Sequence, residues 1–249
     1  MRPIILFNSI LLILLFTQAS AQNVEQIIDR YIERVGGEDM LGNIKGMVMT
    51  GTFKQGDLEF PIRQVIMTDG RQYMEMTFMG RQIKQRVYDG KTLWDEEIST
   101  GAAEAADDET TYNFKLGLND FPDALYKYKQ KGYQVAFVGK VTKKGKETYK
   151  IAVQRENTIV EGIEKKDIVY YYLDVDSGLS LFQESAPADG AGASKVAILE
   201  FSDYQLVEGK YLMPFTLIQT MEGENVFELR IKKVVLDPVV TDEEFKFPG

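Results

Sequence analysis

The sequence predicts a mainly β protein (α+β) in which about a dozen antiparallel strands form one curved sheet or barrel. Three observations lead to this prediction. From Gly46 onward, apolar residues recur at every second position in short runs, which is the period of a half-buried strand. The runs are separated by Gly-containing turns such as DGR and EGK. Helical spacing occurs in only two places, without the strand–helix alternation that makes a parallel sheet.

Residues 1–21 are expected to be a signal peptide. Arg2 precedes a largely apolar run over residues 4–16, and Ala19-Ser20-Ala21 forms a small-residue cleavage site. The run is too short for a transmembrane helix, which needs about 20 apolar residues. We therefore expect cleavage after Ala21, export to the periplasm, no integral membrane span and a single domain over residues 22–249. The chain has no cysteine to carry a lipid anchor.

The composition excludes several classes of function. The chain has no histidine and no cysteine, so Ser-His-Asp triads, Cys-His pairs and His- or Cys-based zinc sites are impossible. A formal net charge of −9 argues against nucleic acid as a partner. The acidic residues match no calcium-loop spacing. We expect a protein that is not an enzyme, with no cofactor and no metal site.

The elements are predicted in chain order from these patterns. Residues 23–36 form an amphipathic helix, with Asn23 and Gln26 as a capping box and Gly36-Gly37 as its stop. A helical turn over 38–44 follows. Residues 99–110, rich in alanine and acids, are expected to be a solvated loop, and residues 122–133 a second helix with Pro122 in its first turn. The strands are predicted at 46–55, 59–68, 71–79, 80–88, 92–98, 133–141, 147–155, 167–175, 179–185, 194–204, 211–220 and 225–236.

A methionine-rich surface is the strongest candidate for a binding site. Seven of the ten methionines lie between residues 40 and 79. Alternate positions of the first three strands place a group of apolar residues on one side of the sheet. Methionine is flexible and suits surfaces that adapt to apolar ligands. An ordinary core and a hydrophobic cavity remain alternatives. The candidate lipid-binding residues are Met47, Met49, Phe53, Val65, Met67, Met74, Met76 and Phe78.

Three stretches resemble the LolA-like family of periplasmic outer-membrane lipoprotein carriers. DGKTLW at residues 89–94 is similar to the family's strand–turn–strand signature. YYYLDVDSGLSLFQES at 170–185 resembles its Asp-to-Ser-Gly-Leu hairpin, and residues 201–248 resemble its final strands and closing D-x-x-F segment. The helix at 23–36 followed by GMVMTGTF also looks like the start of these proteins. The likeness covers nearly all of residues 22–249.

The resemblance implies a half-open antiparallel β-barrel with helices plugging its mouth and acyl chains held inside. It also implies partners: an acylated lipoprotein or another lipid as cargo, an inner-membrane donor and an outer-membrane acceptor. A carrier is physically necessary, since each exposed methylene costs about 0.8 kcal/mol in water. Trp94, the only tryptophan, is a candidate for the cavity wall, and a core position in the sheet is the alternative.

One family feature is absent. LolA-like carriers place an arginine directly before a proline, after an early strand, and that arginine is thought to latch the helical lid. The comparable region here is MTDGRQYMEM, with no Arg-Pro pair. Arg63 and Arg71 are the nearby candidates for a latch.

Two other functions are compatible with the sequence. A sensor or protein-interaction domain could use the same half-barrel, because fold does not determine function. It would be distinguished by an exposed apolar patch or a free sheet edge. A hydrolase would need two carboxyl groups converging across a cleft.

Overall fold

One open antiparallel sheet of thirteen strands dominates the protein. The structure, a computed structural model, describes residues 23–185 and 196–248. The strand order is β6-β5-β4-β3-β2-β1-β15-β14-β13-β12-β11-β8-β7, and β9 and β10 form a separate hairpin. The predicted mainly β, antiparallel fold is confirmed, with the sheet left open rather than closed. The predicted signal peptide lies outside the described residues.

The bounds of the elements are as follows. The helices are α1 (Val24–Val35), α2 (Gly37–Asn43) and α3 (Asp108–Leu118), with a 3₁₀ turn at Asp242–Glu244. The first six strands are β1 (Gly46–Gln55), β2 (Leu58–Met67), β3 (Gln72–Phe78), β4 (Arg81–Tyr88), β5 (Leu93–Glu96) and β6 (Ala103–Ala105). The others are β7 (Gln134–Lys143), β8 (Lys146–Gln154), β9 (Thr158–Val160), β10 (Ile163–Lys165), β11 (Ile168–Asp174), β12 (Ser180–Ser185), β13 (Ala197–Val207), β14 (Tyr211–Met221) and β15 (Glu224–Leu236).

Helix α1 begins and ends near the predicted positions. The Asn23 side chain caps it by accepting a hydrogen bond from the Glu25 backbone N–H at 3.1 Å, so the cap exists without the predicted reciprocal bond from Gln26. Gly36 ends the helix with a φ of 142°, a conformation that strongly favours glycine. The apolar stripe of α1 is buried against the sheet, with Ile28 only 1% exposed.

The prediction of a helix over residues 122–133 is wrong. This stretch, which we name the turn segment (residues 119–133), is a succession of turns. Its helical spacing reflects burial of Leu125, Tyr126 and Tyr128 in a non-helical chain. Lys127 has a φ of +51°, which interrupts any right-handed helix.

The prediction of a solvated loop over residues 99–110 is also wrong. The stretch contains the edge strand β6 and the start of α3, whose N-cap Asp107 accepts a hydrogen bond from the Thr110 backbone N–H at 2.6 Å. Strands β6, β9 and β10 are only three residues long, too short to give a periodic signal in the sequence.

Helix α3 connects the two ends of the open sheet. Phe114 of α3 packs on Tyr88 and Leu93 of β4 and β5. Asn113 of the same helix exchanges two hydrogen bonds with the backbone of Ile159 in the β9–β10 hairpin, at 2.6 and 2.9 Å. The hairpin follows β8 in the chain, so α3 spans the gap between the β6 and β7 ends of the sheet. No helix within residues 23–185 and 196–248 is long and apolar enough to cross a bilayer.

Candidate functional site

The register of the strands defines two faces of the sheet. Met49 of β1 lies opposite Gln64 of β2, which lies opposite Met74 of β3. Residues directly opposite each other in antiparallel strands share a face. Met49 belongs to the same buried cluster as α1, so we name this the inner face. The other face carries Val48 of β1 opposite Val65 of β2, and we name it the outer face.

Part of the inner face is sealed by α1 and the turn segment. Arg30 of α1 donates hydrogen bonds to the carbonyl oxygens of Val175 and Asp176 at 2.9 and 2.7 Å. Tyr31 donates to the Asp123 carboxylate at 2.5 Å. Burial raises the pKa of Asp123, and the hydrogen bond from Tyr31 offsets part of this rise. Polar contacts therefore hold the helix over an apolar interior.

A row of apolar side chains on the inner face is left half-buried. It crosses six neighbouring strands, β3, β2, β1, β15, β14 and β13. The five spacings between them, at about 4.8 Å each, correspond to roughly 24 Å across the strands. Its continuity follows from the strand register and from the Phe60 and Phe78 rings, whose centroids lie 5.6 Å apart. In strand order the row consists of Phe78, Phe60, Phe53, Leu229, Leu217 and Phe201.

This row forms the centre of what we name the inner trough. Met74 and Met76 extend it along β3, and Phe227 stacks on Phe53 with ring centroids 5.2 Å apart. Ile62 and Ile83 lie beneath them as a buried floor. A partly exposed apolar surface of this extent is a candidate binding site for an apolar ligand.

The structure divides the sequence-predicted site residues into two groups. Phe53, Met74, Met76 and Phe78 line the inner trough, whereas Met47 and Met49 lie deeper, in the core beneath α1. Val65 and Met67 belong to the outer face, so their assignment to the same surface is wrong. Val65 lies opposite Val48 and Tyr73. Strand β2 is apolar on both faces, and alternation alone does not reveal which face is the inner one.

Sequence reasoning missed half of the trough. On β2 the inner-face residues are Phe60 and Ile62, and the opposite wall comes from β13, β14 and β15. The signal was present as alternating apolar positions in AILEF and FTLIQ. Only the pairing of β1 with β15 brings these distant strands beside the methionine-rich ones. The missed wall residues are Leu199, Phe201, Leu217, Phe227 and Leu229.

Trp94 lies on the outer face, where it anchors the end of the chain. We name residues 240–247 the C-terminal segment. The Trp94 indole Nε1 donates a hydrogen bond to the Phe245 carbonyl oxygen at 3.1 Å, and Phe245 is fully buried between Trp94, Tyr73 and Val87. Trp94 is 3% exposed. Its position is that of a core residue, away from the inner trough.

The two candidate latch arginines hold this C-terminal segment instead of the helices. Arg71 forms ion pairs with Asp69 and Asp242 at 2.8 and 2.5 Å. Arg63 lies 3.5 Å from the Glu244 carboxylate. Both belong to the outer-face side of the sheet, so the expectation that they latch a lid over the inner face is not met. The contacts that fix α1 come from Arg30 and Tyr31.

Within the described ranges there is no group of three or more acidic side chains arranged to hold a metal ion. The carboxylates named above are engaged in ion pairs or hydrogen bonds with the protein.

The open antiparallel sheet with helices against an apolar inner face is a fold that the chain shares with several solved structures. The chain shares this fold with a domain described as an outer membrane lipoprotein-sorting protein from Vibrio parahaemolyticus (TM-score 0.57, 12% identity, 90% of this chain and 97% of that chain). It is similar to a LolA superfamily protein from Nitrosomonas europaea (0.55, 10%, 89% and 96%). It is also similar to a DUF1329 family protein from Desulfovibrio piger (0.56, 12%, 90% and 97%).

These likenesses confirm the predicted LolA-like fold. No family model matches the sequence, and no curated protein matches it. At identities of 10 to 12% the comparison establishes the fold, and the function has to be argued from the inner trough itself.

Proposed function

We propose that the protein is a periplasmic carrier that binds the acyl chains of a lipoprotein or another lipid in the inner trough, with no chemical step. The observation that carries this proposal is the half-buried apolar row from Phe78 to Phe201 across six strands. An acyl chain laid along it would leave water, at about 0.8 kcal/mol for each buried methylene. Export to the periplasm and exchange with an inner-membrane donor and an outer-membrane acceptor belong to the proposal.

The fold supports a carrier because it leaves the ligand a way out. A closed barrel would enclose its load, whereas the open sheet exposes one side of the trough. A recess of about 250 Å³ between the end of α3 and strands β2 and β3, lined by Leu118, Phe121 and Ile66 among others, reaches the edge of the inner face. In this proposal the ligand enters and leaves over the open side of the trough, without unfolding of the sheet.

A matched pair of methionines tests the proposal. Met76 lies in the trough, and Met79 is 90% exposed in the turn that follows β3. We expect Met76→Glu to weaken uptake of a fluorescent fatty acid at least about tenfold, because a charge buried against an acyl chain is strongly unfavourable. Met79→Glu should bind as the unchanged protein does. Equal binding by both folded variants would refute the trough as the site.

A protein-interaction role is the second candidate. Strand β7 is a ten-residue strand at the end of the sheet, with Val138 53% exposed. Such an edge can pair with an extended peptide. Val138→Pro would disturb that pairing and leave the trough intact. Loss of a captured partner without loss of lipid uptake would favour this role.

A further inference from the structure

Two half-buried methionines of the inner trough have different neighbours. Met74 of β3 lies directly opposite Gln64 of β2 and Gln85 of β4. Met76, two residues on, lies directly opposite a buried isoleucine on each side. Side chains directly opposite each other in antiparallel strands share a face and have Cβ atoms about 4.5–5.5 Å apart. The thioether of Met74 is therefore flanked by amides, and that of Met76 by hydrocarbon.

The two amides beside Met74 differ in their hydrogen bonds. The Gln85 side-chain N–H donates to the backbone carbonyl oxygens of Glu96 at 2.5 Å and Lys84 at 3.2 Å. The Gln64 side chain is half-buried, and within the described ranges it takes part in no hydrogen bond. Its amide N–H is therefore available to an acceptor placed on the Met74 sulfur.

Oxidants dissolved in water have access to the Met74 sulfur. Met47 and Met49 are buried in the core beneath α1, whereas Met74 is half-buried on the inner face of an open sheet. An oxidant must touch the sulfur to react with it, so exposure decides which methionines are converted to sulfoxide. Met79, exposed in the turn after β3, should react as well, but it lies outside the trough.

We propose that Met74 is an oxidation switch of the inner trough. A two-electron oxidant of the peroxide class transfers one oxygen atom to the Met74 sulfur. The O–O bond breaks and an S–O bond forms, the sulfur loses two electrons, and the second peroxide oxygen leaves as water. The sulfoxide oxygen accepts a hydrogen bond from the Gln64 amide. This inference rests on the proposed lipid-binding function and adds its regulation.

Oxidation of Met74 lowers the affinity for an apolar ligand because it changes the polarity of the trough wall. The thioether is apolar, whereas the sulfoxide carries a strong hydrogen-bond acceptor. An acyl chain that covered this group would remove it from water. The ligand-free trough leaves the sulfoxide in contact with water and with Gln64. The oxidised protein therefore favours the empty state.

The neighbouring amide separates a switch from oxidative damage. A sulfoxide at Met74 has a donor in Gln64, so the fold should persist after oxidation. A sulfoxide at Met76 would lie between two isoleucines without a donor, which destabilises the sheet. Methionine sulfoxide reductases, with a dithiol as the reductant, remove the oxygen as water. The change at Met74 is therefore reversible.

The test measures binding of dansyl-labelled undecanoic acid before and after treatment of the protein with hydrogen peroxide. Peptide mass spectrometry identifies the methionines that carry the extra oxygen. Once Met74 is oxidised, we expect the affinity for the probe to fall about tenfold, while the thermal unfolding midpoint stays within a few degrees. Methionine sulfoxide reductases A and B with dithiothreitol should restore the affinity.

Matched variants assign the effect to one sulfur. In Met74→Leu, the affinities before and after peroxide should differ by less than about twofold, because the reactive sulfur is gone. In Met79→Leu, peroxide should lower the affinity as much as in the unchanged protein. Met74→Gln, which brings a polar oxygen to the same place, should weaken binding with no oxidant present. In Gln64→Leu, oxidation should lower the unfolding midpoint by several degrees, because the sulfoxide has lost its donor.

Three results would overturn the switch while leaving lipid binding intact. One is Met74 left unoxidised when Met79 is fully converted. Another is oxidised Met74 with unchanged affinity for the probe. The third is an equal loss of affinity in Met74→Leu and in the unchanged protein. Failure of the untreated protein to bind the probe would instead overturn the proposed function.

Discussion

Trp94 and Phe245 are joined across 151 residues of sequence by the hydrogen bond from the indole Nε1 to the Phe245 carbonyl oxygen, 3.1 Å long and buried. The Phe245 ring lies edge-on to the Tyr73 ring, with the ring centroids 5.4 Å apart. The centroids of the Phe247 and Trp94 rings are 5.9 Å apart. The single tryptophan therefore packs against the C-terminal segment on the outer face. The sequence allows both a cavity wall and a core position for Trp94, and the structure places it in the core.

Trp94→Phe should therefore destabilise the protein without affecting ligand uptake. The substitution keeps an aromatic ring but leaves the buried Phe245 carbonyl without its donor, which costs about 2 kcal/mol. Urea unfolding measures this loss. Phe247→Leu, which loses only a ring contact at the edge of the same cluster, is the control and should cost less than about 1.5 kcal/mol. Lower lipid affinity in a folded Trp94→Phe protein would place the indole in the binding site after all.

Arg71→Gln should loosen the C-terminal segment and leave α1 in place. Arg71 bridges Asp69 and Asp242 and lies over the Phe245 ring at 5.1 Å. Hydrogen exchange should accelerate in residues 240–247 and remain unchanged in α1. Arg230→Gln is a matched control, because the ion pair of Arg230 among the described residues is with Glu228 of its own strand. Faster exchange in α1 would show that Arg71 acts as a helix latch.

Asp123 should make stability depend on pH in the mildly acidic range. Burial raises the pKa of this carboxyl in the folded protein, partly offset by the hydrogen bond from Tyr31. The folded state therefore binds its proton more tightly than the unfolded state does. The resulting stabilisation is complete below the ordinary pKa of about 3.9 and is lost as pH rises through the folded pKa.

Asp123→Asn removes this titration while retaining an oxygen that accepts from Tyr31. Between about pH 4 and 7, the free energy of unfolding of the variant should fall less than that of the unchanged protein. Urea unfolding at a series of pH values measures both slopes. Identical slopes would show that Asp123 has an ordinary pKa, despite the nearby Tyr31, Asp120 and Lys131.

Local patterns predicted most of the fold. Helix α1 and twelve of the strands were visible in the sequence because burial of one face imposes a period of 3.6 or 2. The turn segment was misread, since its buried tyrosines repeat at helical spacing while Lys127 adopts a positive φ. Such a backbone conformation leaves no trace in apolar periodicity.

The site was harder to predict than the fold because it depends on register. Val65 and Ile62 are both apolar and both lie in β2, but only pairing with β1 and β3 shows that they face opposite sides. The packing of residues 240–247 against Trp94 brings together distant parts of the chain. The pairing of β15 with β1, which adds the wall built from β13 to β15, does the same. Alternation within one strand carries no information about either.

The most direct test of acyl-chain binding in the inner trough is to locate a bound acyl chain. A dipalmitoylglycerol analogue with a photoreactive diazirine in one chain would be bound to the protein, irradiated and mapped by peptide mass spectrometry. If the inner trough binds the acyl chain, the label should attach to residues on both walls, such as Phe53, Met76 and Leu217. Attachment should be lost in Met76→Glu but not in Met79→Glu. Attachment confined to the outer face around Trp94, or to the β7 edge, would contradict it.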